Sequence, residues 1–342
     1  MTGAGAPGGP GIFKCLQQEP SFTIIVADAN PYVAGKYQPG LFEIIPKATD
    51  PSFTDALLSL CKKRNIDIIL PLVTRELIPL SAHKDKFNAA GIHLLVSSLA
   101  SLEIANDKGR LYQFLEWRGI PVPAYRIIDG STADAAEQFK AAVNELGFPG
   151  KAVCFKPTVS NGSRGFRVMD ASLDESVLLF EQKPTSTYTS LENAVRILSS
   201  APFPELLVSE YLPGEEYSVD CLVNRGEAIL IVPRLRKRMI NGISVEGEFV
   251  KEETIILYCK KIIEALQLHG NIGIQVKRST LGEFLILEIN PRVQGSIAAG
   301  LGAGINLPVL AIKQEMGWPI TETELTVRWG TKFSRQWDEV SW

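Results

Sequence analysis

Short apolar runs alternate with amphipathic segments over the first hundred residues. The apolar runs have the length of buried parallel strands, and the amphipathic segments repeat with the period of a helix. The pattern predicts strands at Phe22–Ala27, Ile66–Leu70 and His93–Val96 and helices at Phe53–Arg64 and Leu77–Ala90. Because strands and helices alternate, the start of the chain is predicted to be a doubly wound α/β domain.

A glycine-rich segment opens the chain. Gly3, Gly5 and Gly8 have the spacing of a dinucleotide-binding loop, and Asp28 follows Gly8 by 20 positions at the end of a predicted strand. Such a loop normally follows a strand, and only two residues precede this one. Either a first strand is missing from the chain, or a very short one suffices. The domain is therefore Rossmann-like, and a nicotinamide-dependent oxidoreductase is the weakest functional hypothesis because a lone glycine pattern is not specific.

The middle of the chain places two lysines beside features that suit phosphate. A helix is predicted over Asn106–Gly119, with Asn106 as its N-cap and Lys108 in the first turn. Lys108 is either a solvated surface lysine or a partner for a phosphate. After the strand Ala152–Phe155 comes Lys156, and then the loop Val159–Gly165. That loop is either a hairpin turn or a cradle of backbone N–H groups over a triphosphate.

Acidic and basic clusters follow. The strand predicted at Glu205–Ser209 leads into the segment Glu210–Tyr217, whose acids either are solvated or accept hydrogen bonds from adenine and ribose. A later strand, Ala228–Pro233, leads into the basic stretch Arg234–Arg238, followed by a predicted loop, Asn241–Gly247. Four cations at close spacing repel one another, so either solvent or an anionic ligand must compensate them.

The segment Phe284–Arg292 carries the clearest chemistry. Its apolar residues alternate with Glu288, Asn290 and Arg292, so a strand presents a carboxylate, an amide oxygen and a guanidinium on one face. Pro291 is predicted to end the strand. A hairpin with the strand Ile272–Lys277 brings Gln275 close to Glu288. Oxygen ligands beside a fixed cation suit Mg²⁺ and a phosphate chain.

Composition narrows the class of protein. The net charge of −3 gives no basic footprint for nucleic acid, and no apolar run reaches the roughly 20 residues of a membrane span. The five scattered cysteines indicate free thiols, and three unclustered histidines argue against a His- or Cys-based zinc site. The N-terminus does not have the pattern of a signal peptide. We therefore expect a cytoplasmic protein with small-molecule substrates and without nucleic-acid or membrane partners.

The order Lys108, Lys156, glycine loop, Glu210 turn, Gln275 and Glu288–Arg292 resembles the ATP-grasp superfamily. It is most similar to the ATP-binding domain of the carbamoyl-phosphate synthase large-chain type, from about Asn106 to Gly317. The resemblance implies a Rossmann-like pre-ATP-grasp domain over residues 1–105 and a two-lobed ATP-grasp domain over 106–320. The lid lobe would cover about 122–208 and the metal-binding lobe about 209–320, with a tail over 321–342 that packs on the body. Four tryptophans make the C-terminal region a candidate homodimer contact: Trp318, Trp329, Trp337 and Trp342.

The resemblance also implies roles for individual residues. Two Mg²⁺ ions, with Mn²⁺ as an alternative, would be bound by Gln275, Glu288 and Asn290, and Arg292 would stabilise the transferred phosphate. Arg234 and Arg236 are the candidates for holding a substrate carboxylate or its acylphosphate. The residues that would contact ATP are Lys108, Lys156, Ser160, Gly162, Ser163, Gly165, Glu210, Tyr211, Leu212, Glu216 and Gln275.

The implied activity is an ATP-dependent carboxylate–amine (or thiol) ligase that forms an acylphosphate and releases ADP and phosphate. Gly242-Ile243-Ser244 stands where relatives that handle bicarbonate have Gly-Ile-His, and the chain carries one set of ATP-grasp motifs. Both features argue against carbamoyl-phosphate synthesis and biotin carboxylation. Phosphorylation of a small acid, of the carbamoyl-phosphate-synthase or kinase type, and a non-catalytic ATP-binding sensor remain as alternatives.

Overall fold

Helices and strands alternate through the N-terminal part of the computed structural model, which describes residues 1–37, 40–160, 162–181, 187–240 and 242–336. Asn161, Asn241, Trp337 and Trp342, which belong to predicted features, lie outside these ranges. The chain divides into two units. The first contains Met1–Asn106, Glu215–Val276 and Leu287–Trp342, and the second contains Asp107–Gly214 and Lys277–Ile286.

The N-terminal part of the first unit is an α/β fold, as predicted. Its elements are α1 (Gly9–Leu16), β1 (Ile25–Asp28), β2 (Leu41–Ile44), α2 (Phe53–Arg64), β3 (Ile68–Ile69), α3 (Thr74–Ala82), α4 (Lys84–Asn88), β4 (His93–Leu94) and α5 (Leu99–Ala105). The helix predicted over Leu77–Ala90 is instead two helices that meet at His83. A core that includes Phe53, Leu77 and Phe87 lies beneath these helices.

Residue Thr2 joins two parallel strand pairs. Strand β1 pairs with β2 and β3 pairs with β4, and Thr2 forms parallel bridges to Ala27 in β1 and to Pro71 beyond β3. The Thr2 amide donates to the Leu70 carbonyl at 3.2 Å. A single bridging residue before the glycine loop therefore takes the central position that a first strand would occupy.

The second unit is built on an antiparallel sheet. Its elements are α6 (Lys108–Trp117), β5 (Tyr125–Ile128), α7 (Ala135–Glu145), β6 (Val153–Pro157), β7 (Arg167–Met169), α8 (Glu175–Phe180), α9 (Leu191–Leu198) and β8 (Leu206–Glu210). The strand order is β5-β8-β6-β7. Helix α7 packs on this sheet through Phe139, whose ring meets the ring of Phe155 at 5.1 Å. The N-cap of α6 is Asp107 rather than the predicted Asn106, because the Asp107 carboxylate accepts from the amides of Gly109 and Arg110.

The remaining elements belong mainly to the first unit. They are β9 (Glu216–Asn224), β10 (Glu227–Ile240), β11 (Ile243–Phe249), α10 (Glu253–Leu266), β12 (Gly270–Arg278), β13 (Phe284–Asn290), α11 (Leu307–Glu315) and β14 (Lys332–Ser334). Their sheet has the order β13-β12-β9-β10-β11-β14. Short 3₁₀ turns occur at Ala34–Tyr37, Ile297–Leu301 and Thr323–Leu325. Strand β13 ends immediately before Pro291, as predicted.

One predicted loop is wrong. Residues 243–247 belong to strand β11 instead of a loop, and the basic stretch Arg234–Arg238 lies inside the long strand β10. The two strands pair antiparallel, with Arg234 opposite Phe249 and Ile240 opposite Ile243. A strand tolerates this density of cations because acidic residues lie on the neighbouring strands.

Candidate active site

Two side chains of β13 form the centre of the predicted metal site. Glu288 and Asn290 are two positions apart and thus lie on the same face of the strand, and Asn290 Nδ2 donates to Glu288 Oε1 at 3.2 Å. Both residues are half-buried. This contact turns the Asn290 carbonyl oxygen towards the Arg292 guanidinium, whose Nη2 lies 3.3 Å away. A carboxylate and an amide on one face of a strand offer oxygen donors of the kind that Mg²⁺ binds.

Arg292 is held by three groups of its own unit. Its Nε donates to the Thr74 hydroxyl at 3.0 Å, and its Nη1 donates to the Val293 carbonyl at 2.8 Å. Burial lowers the pKa of Arg292, and the nearby Glu288 carboxylate opposes that shift. Thr74 is the first residue of α3, 218 positions away in sequence, and no local pattern marks it as part of the site.

The loop after β13 crosses the neighbouring strand β12. Gln294 Nε2 donates to the Val219 carbonyl at 3.1 Å, and a Cβ atom at Gly273 would lie 2.2 Å from Gln294 Cγ. Gly273 thus provides the space for the Gln294 side chain. Gln275 is two positions further along β12 and is half-buried, so it shares the face that Gln294 covers. The sequence analysis did not include Gln294 in the site.

The basic stretch of β10 is compensated by the protein itself. The sequence suggested solvent or an anionic ligand as the compensating group, and the structure adds a third, the carboxylates of neighbouring strands. Each cation forms an ion pair with a carboxylate of an adjacent strand: Arg234 with Asp220, Arg236 with Glu216, Lys237 with Glu248 and Arg238 with Glu246. Opposite charges on neighbouring strands remove the repulsion that the sequence alone suggests.

Arg234 is enclosed more completely than the other cations of the stretch. Its Nε lies 2.6 Å from Asp220 Oδ2, and its Nη2 donates to the Ser296 hydroxyl at 3.0 Å. The rings of Phe249 and Phe333 lie 5.9 and 5.6 Å from the guanidinium carbon. Arg234 thus connects β9, β10 and the loop after β13.

Lys108 in the second unit is 5% exposed, so it is not the solvated surface lysine that was one reading of the sequence. Its backbone amide donates to the Thr158 carbonyl, and its Nζ donates to the Ser160 carbonyl, both at 2.9 Å. Lys108 therefore holds the start of the glycine loop.

The glycine loop has the backbone geometry of a tight turn. Gly162, Ser163 and Gly165 have φ values of 64°, 59° and 77°, in the left-handed region that favours glycine. A Cβ atom at Gly165 would lie 2.5 Å from Pro157 Cδ, so only glycine allows this approach. The Ser160 hydroxyl donates to the Pro157 carbonyl at 3.2 Å, which fixes the loop to the end of β6.

The segment after β8 brings polar groups together at the end of the second unit. Glu210 Oε1 accepts from the Ala124 amide at 2.9 Å, and Leu212 is buried. The Lys277 ammonium lies 4.4 Å from the centre of the Tyr211 ring and 3.4 Å from its hydroxyl. The unit boundary falls between Gly214 and Glu215. Lys277 is a further residue that sequence reasoning missed.

Lys156 and Lys277 both act on one buried thiol of the second unit. Burial raises the pKa of Cys154, and the charges of these two lysines oppose the shift. The two ammonium groups therefore both contribute positive potential at Cys154.

The N-terminal glycines are used for packing. A Cβ atom at Gly8 would lie 2.4 Å from Gly295 Cα, and one at Gly11 would lie 2.9 Å from Ala298 Cβ. The Asp28 carboxylate accepts from the Gly5 amide at 2.7 Å and from the Asn30 amide at 2.8 Å. The glycines thus allow α1 to pack closely against the loop that follows the Glu288 strand, within the first unit.

The predicted site residues divide between the two units. The first unit holds Glu216, Arg234, Arg236, Gln275, Glu288, Asn290 and Arg292, and the second holds Lys108, Lys156, Ser160, Gly162, Ser163, Gly165, Glu210, Tyr211 and Leu212. Within the described ranges, no group of three or more His, Cys, Asp and Glu side chains is arranged to hold a metal. The Gln275, Glu288 and Asn290 set is of a different kind, since it has one carboxylate. No helix in the described parts of the chain has both the length and the apolar character needed to cross a membrane.

Two protein-family models match separate parts of the chain. A family model described as ATP-grasp in the biosynthetic pathway with Ter operon matches residues 202–335. A model of the PylC-like N-terminal domain matches residues 11–95. Residues 11–95 thus match a PylC-like N-terminal domain and residues 202–335 match an ATP-grasp domain, in agreement with the predicted fold class and the predicted superfamily.

The chain is also similar to individual proteins. It is 23% identical over 291 residues to the arginine-specific carbamoyl phosphate synthase large chain of Bacillus subtilis, covering 82% of this chain and 25% of the relative. It is 25% identical over 242 residues to the carbamoyl phosphate synthase large chain of Archaeoglobus fulgidus, covering 68% and 20% respectively. The chain thus spans a quarter or less of the length of these relatives.

A solved structure shares the fold over nearly the whole chain. The ADP complex of purK, N5-carboxyaminoimidazole ribonucleotide synthetase, superposes with a TM-score of 0.69 at 19% identity. The match covers 95% of this chain and 78% of the other.

Proposed function

We propose that this protein is an ATP-dependent ligase that joins a carboxylic acid to an amine or thiol through an acylphosphate. The observation that carries the proposal is the contact series from Glu288 to Asn290 to Arg292, in which hydrogen bonds of 3.2 and 3.3 Å align two oxygen ligands and a cation. The relatives named as carbamoyl phosphate synthases and the fold shared with a synthetase in complex with ADP support the same class of reaction.

We assign the metal site to Gln275, Glu288 and Asn290, with two Mg²⁺ ions as the expected occupants and Mn²⁺ as an alternative. The oxygen donors of this set suit a hard divalent cation. Bound there, the metal would neutralise charge on the nucleotide phosphates. We also propose the domain limits predicted from the sequence, 1–105, 106–320 and 321–342.

We assign nucleotide binding to the residues that the resemblance to the ATP-grasp superfamily implies. Lys108, Lys156 and the loop Ser160–Gly165 would contact the phosphates, and Glu210, Tyr211 and Leu212 would contact the base. Glu216 would contact the ribose. The buried position of Lys108 and its hydrogen bond to Ser160 support this role, since the lysine and the loop are already held together.

The reaction needs no protein nucleophile. A carboxylate oxygen of the acid attacks the γ-phosphorus of ATP, and ADP leaves with the electrons of the broken P–O bond. The amine or thiol then attacks the acylphosphate carbon, phosphate leaves, and the nucleophile loses its proton. Arg292 would stabilise charge on the transferred phosphoryl group, because its guanidinium is fixed in place before the reaction. Arg234 and Arg236, the other candidates, are both paired with carboxylates of their own unit.

The decisive experiment is a screen of carboxylic acids with amines and thiols for ADP release in the presence of ATP and Mg²⁺. The proposal expects ADP release that depends on the acid and a product that contains both substrates. Binding of ATP without ADP release for any pair would favour the sensor. A phosphorylated acid that accumulates without transfer to any nucleophile would favour the kinase-type reaction.

A further inference from the structure

Two residues with different expected ligands bind each other in this structure. Glu216 was assigned to the ribose and Arg236 to the acid, yet Arg236 Nη1 donates to Glu216 Oε1 in a close ion pair. Glu216 begins β9, and Arg236 lies near the end of β10. The pairing of Arg234 with Ser218 puts both side chains on the same face of the sheet, since each lies two positions from that pair.

The two partners differ in accessibility. The Arg236 side chain is 4% exposed, whereas the Glu216 side chain is 17% exposed. Arg236 Nη1 donates to one carboxylate oxygen of Glu216, Oε1, and Glu216 is the more exposed side chain of the pair. A ligand that approaches this pair from solvent therefore meets the carboxylate, not the guanidinium.

The second terminal nitrogen of Arg236 also has a hydrogen-bond partner. Its Nη2 donates to the Gly242 carbonyl at 2.5 Å, at the turn between β10 and β11. Strand β10 carries a bulge here, because Arg236 lies opposite Gly247 while Arg238 lies opposite the adjacent Glu246. Bulges redirect side chains, and Arg238 beyond the bulge is 54% exposed. The bulge thus separates a buried arginine that faces Glu216 from a solvated one.

We propose that Arg236 is a positioning residue that acts through Glu216 and does not contact the acid. Through this contact Arg236 orients the Glu216 carboxylate to accept hydrogen bonds from the ribose hydroxyls of the nucleotide. The hydrogen bond to Gly242 holds the arginine in place for this role. The inference rests on the proposed function, because it names the residue that sets ribose recognition at the same site.

The test measures affinity for ATP, 2′-deoxy-ATP and 3′-deoxy-ATP with Mg²⁺ by calorimetry. In the wild type, at least one deoxy analogue should bind roughly 10- to 100-fold more weakly than ATP, which corresponds to the loss of one hydrogen bond to a charged group. Arg236→Met should reduce this ratio towards one, as Glu216→Gln does. The double variant should show the same affinity ratio as Glu216→Gln alone, because both changes remove the same interaction.

The matched control is Arg238→Met, which removes a cation from the same strand and breaks an exposed ion pair. It should leave the ratio unchanged. If Arg236→Met does not fold, Arg236→Gln, which keeps a polar side chain and removes the charge, decides by the same ratio. If Arg236 only stabilises the fold, its variants should have a lower melting temperature and should bind all three nucleotides more weakly by the same factor.

Three outcomes separate the two proposals. An unchanged ratio in the Arg236 variants, with a reduced one in Glu216→Gln, overturns the positioning role alone. Equal affinity of the wild type for ATP and both deoxy analogues overturns it as well. A wild type that binds no ATP overturns the proposed function, and the positioning role with it.

Discussion

The carboxylate of Asp220 lies 2.6 Å from the guanidinium of Arg234, and the two side chains are only 2% and 1% exposed. Water does not compensate either charge, so each depends on the other. The pair lies between β9 and β10, and the Arg234 contact with Ser296 extends it to the loop after the Glu288 strand. The geometry of that loop is therefore tied to a buried ion pair two strands away.

Asp220→Asn should destabilise the protein by about 3–5 kcal/mol, because it leaves the Arg234 charge buried without a partner. The free energy of unfolding, measured by urea titration, checks this. The matched control is Glu246→Gln, which breaks the exposed pair with Arg238 and should cost less than about 1 kcal/mol. Equal losses in the two variants would contradict the structural role given to Asp220.

Glu288→Gln should reduce ADP production on the order of 100-fold while leaving the melting temperature close to the wild-type value. The amide keeps the size of the side chain and removes the negative charge that a divalent cation needs. The comparison variant is Glu283→Gln, an exposed residue in the turn before the same strand. ADP production by Glu288→Gln at the wild-type rate would remove Glu288 from the metal site.

Gly8→Ala should destabilise the protein by about 1–3 kcal/mol, because the added methyl group would lie 2.4 Å from Gly295 Cα. Thermal unfolding measures the loss. Gly150→Ala serves as the control, since the nearest atom to its new methyl group is 3.4 Å away and its φ is not positive. A Gly8→Ala protein as stable as the wild type would refute the packing role of the glycine, and loss of NAD binding in this variant would restore the dinucleotide hypothesis.

Glu76 should make stability depend on pH in the acidic range. Burial raises the pKa of this carboxyl from 4.5 to about 7, while the Thr2 hydroxyl, which donates to it at 2.5 Å, opposes the shift and Asp28 adds to it. Between pH 4.5 and about pH 7, the folded state therefore binds more protons than the unfolded state. The contribution of Glu76 to stability is present below pH 4.5 and is lost as the pH rises towards 7.

Glu76→Gln removes this titration. Relative to the wild type, its free energy of unfolding should increase between pH 4.5 and pH 7.5 by about 3 kcal/mol, from about 1.4 kcal/mol for each pKa unit. Glu103→Gln, at an exposed site on α5, should track the wild type at every pH. Parallel curves for Glu76→Gln and the wild type would show that the carboxyl titrates normally.

Local periodicity in the sequence determined much of the secondary structure of this protein. The alternation of strands and helices before residue 106, the antiparallel strands around the glycine loop and the strand that ends before Pro291 all follow from short-range patterns. So does the placement of Glu288 and Asn290 on one face, because residues two apart on a strand share a face whatever surrounds them. The order of lysines, glycine loop and oxygen ligands was sufficient to indicate the superfamily.

Only the tertiary structure decided which distant groups meet. Thr74 at Arg292, Gln294 over Gly273 and Lys277 above the Tyr211 ring depend on contacts that no local period encodes. The basic stretch of β10 shows the physical reason most directly. From the sequence its charges required an external partner, whereas strand pairing supplied a carboxylate for each one. A charge is compensated by its neighbours in space, and in a sheet those neighbours come from other strands.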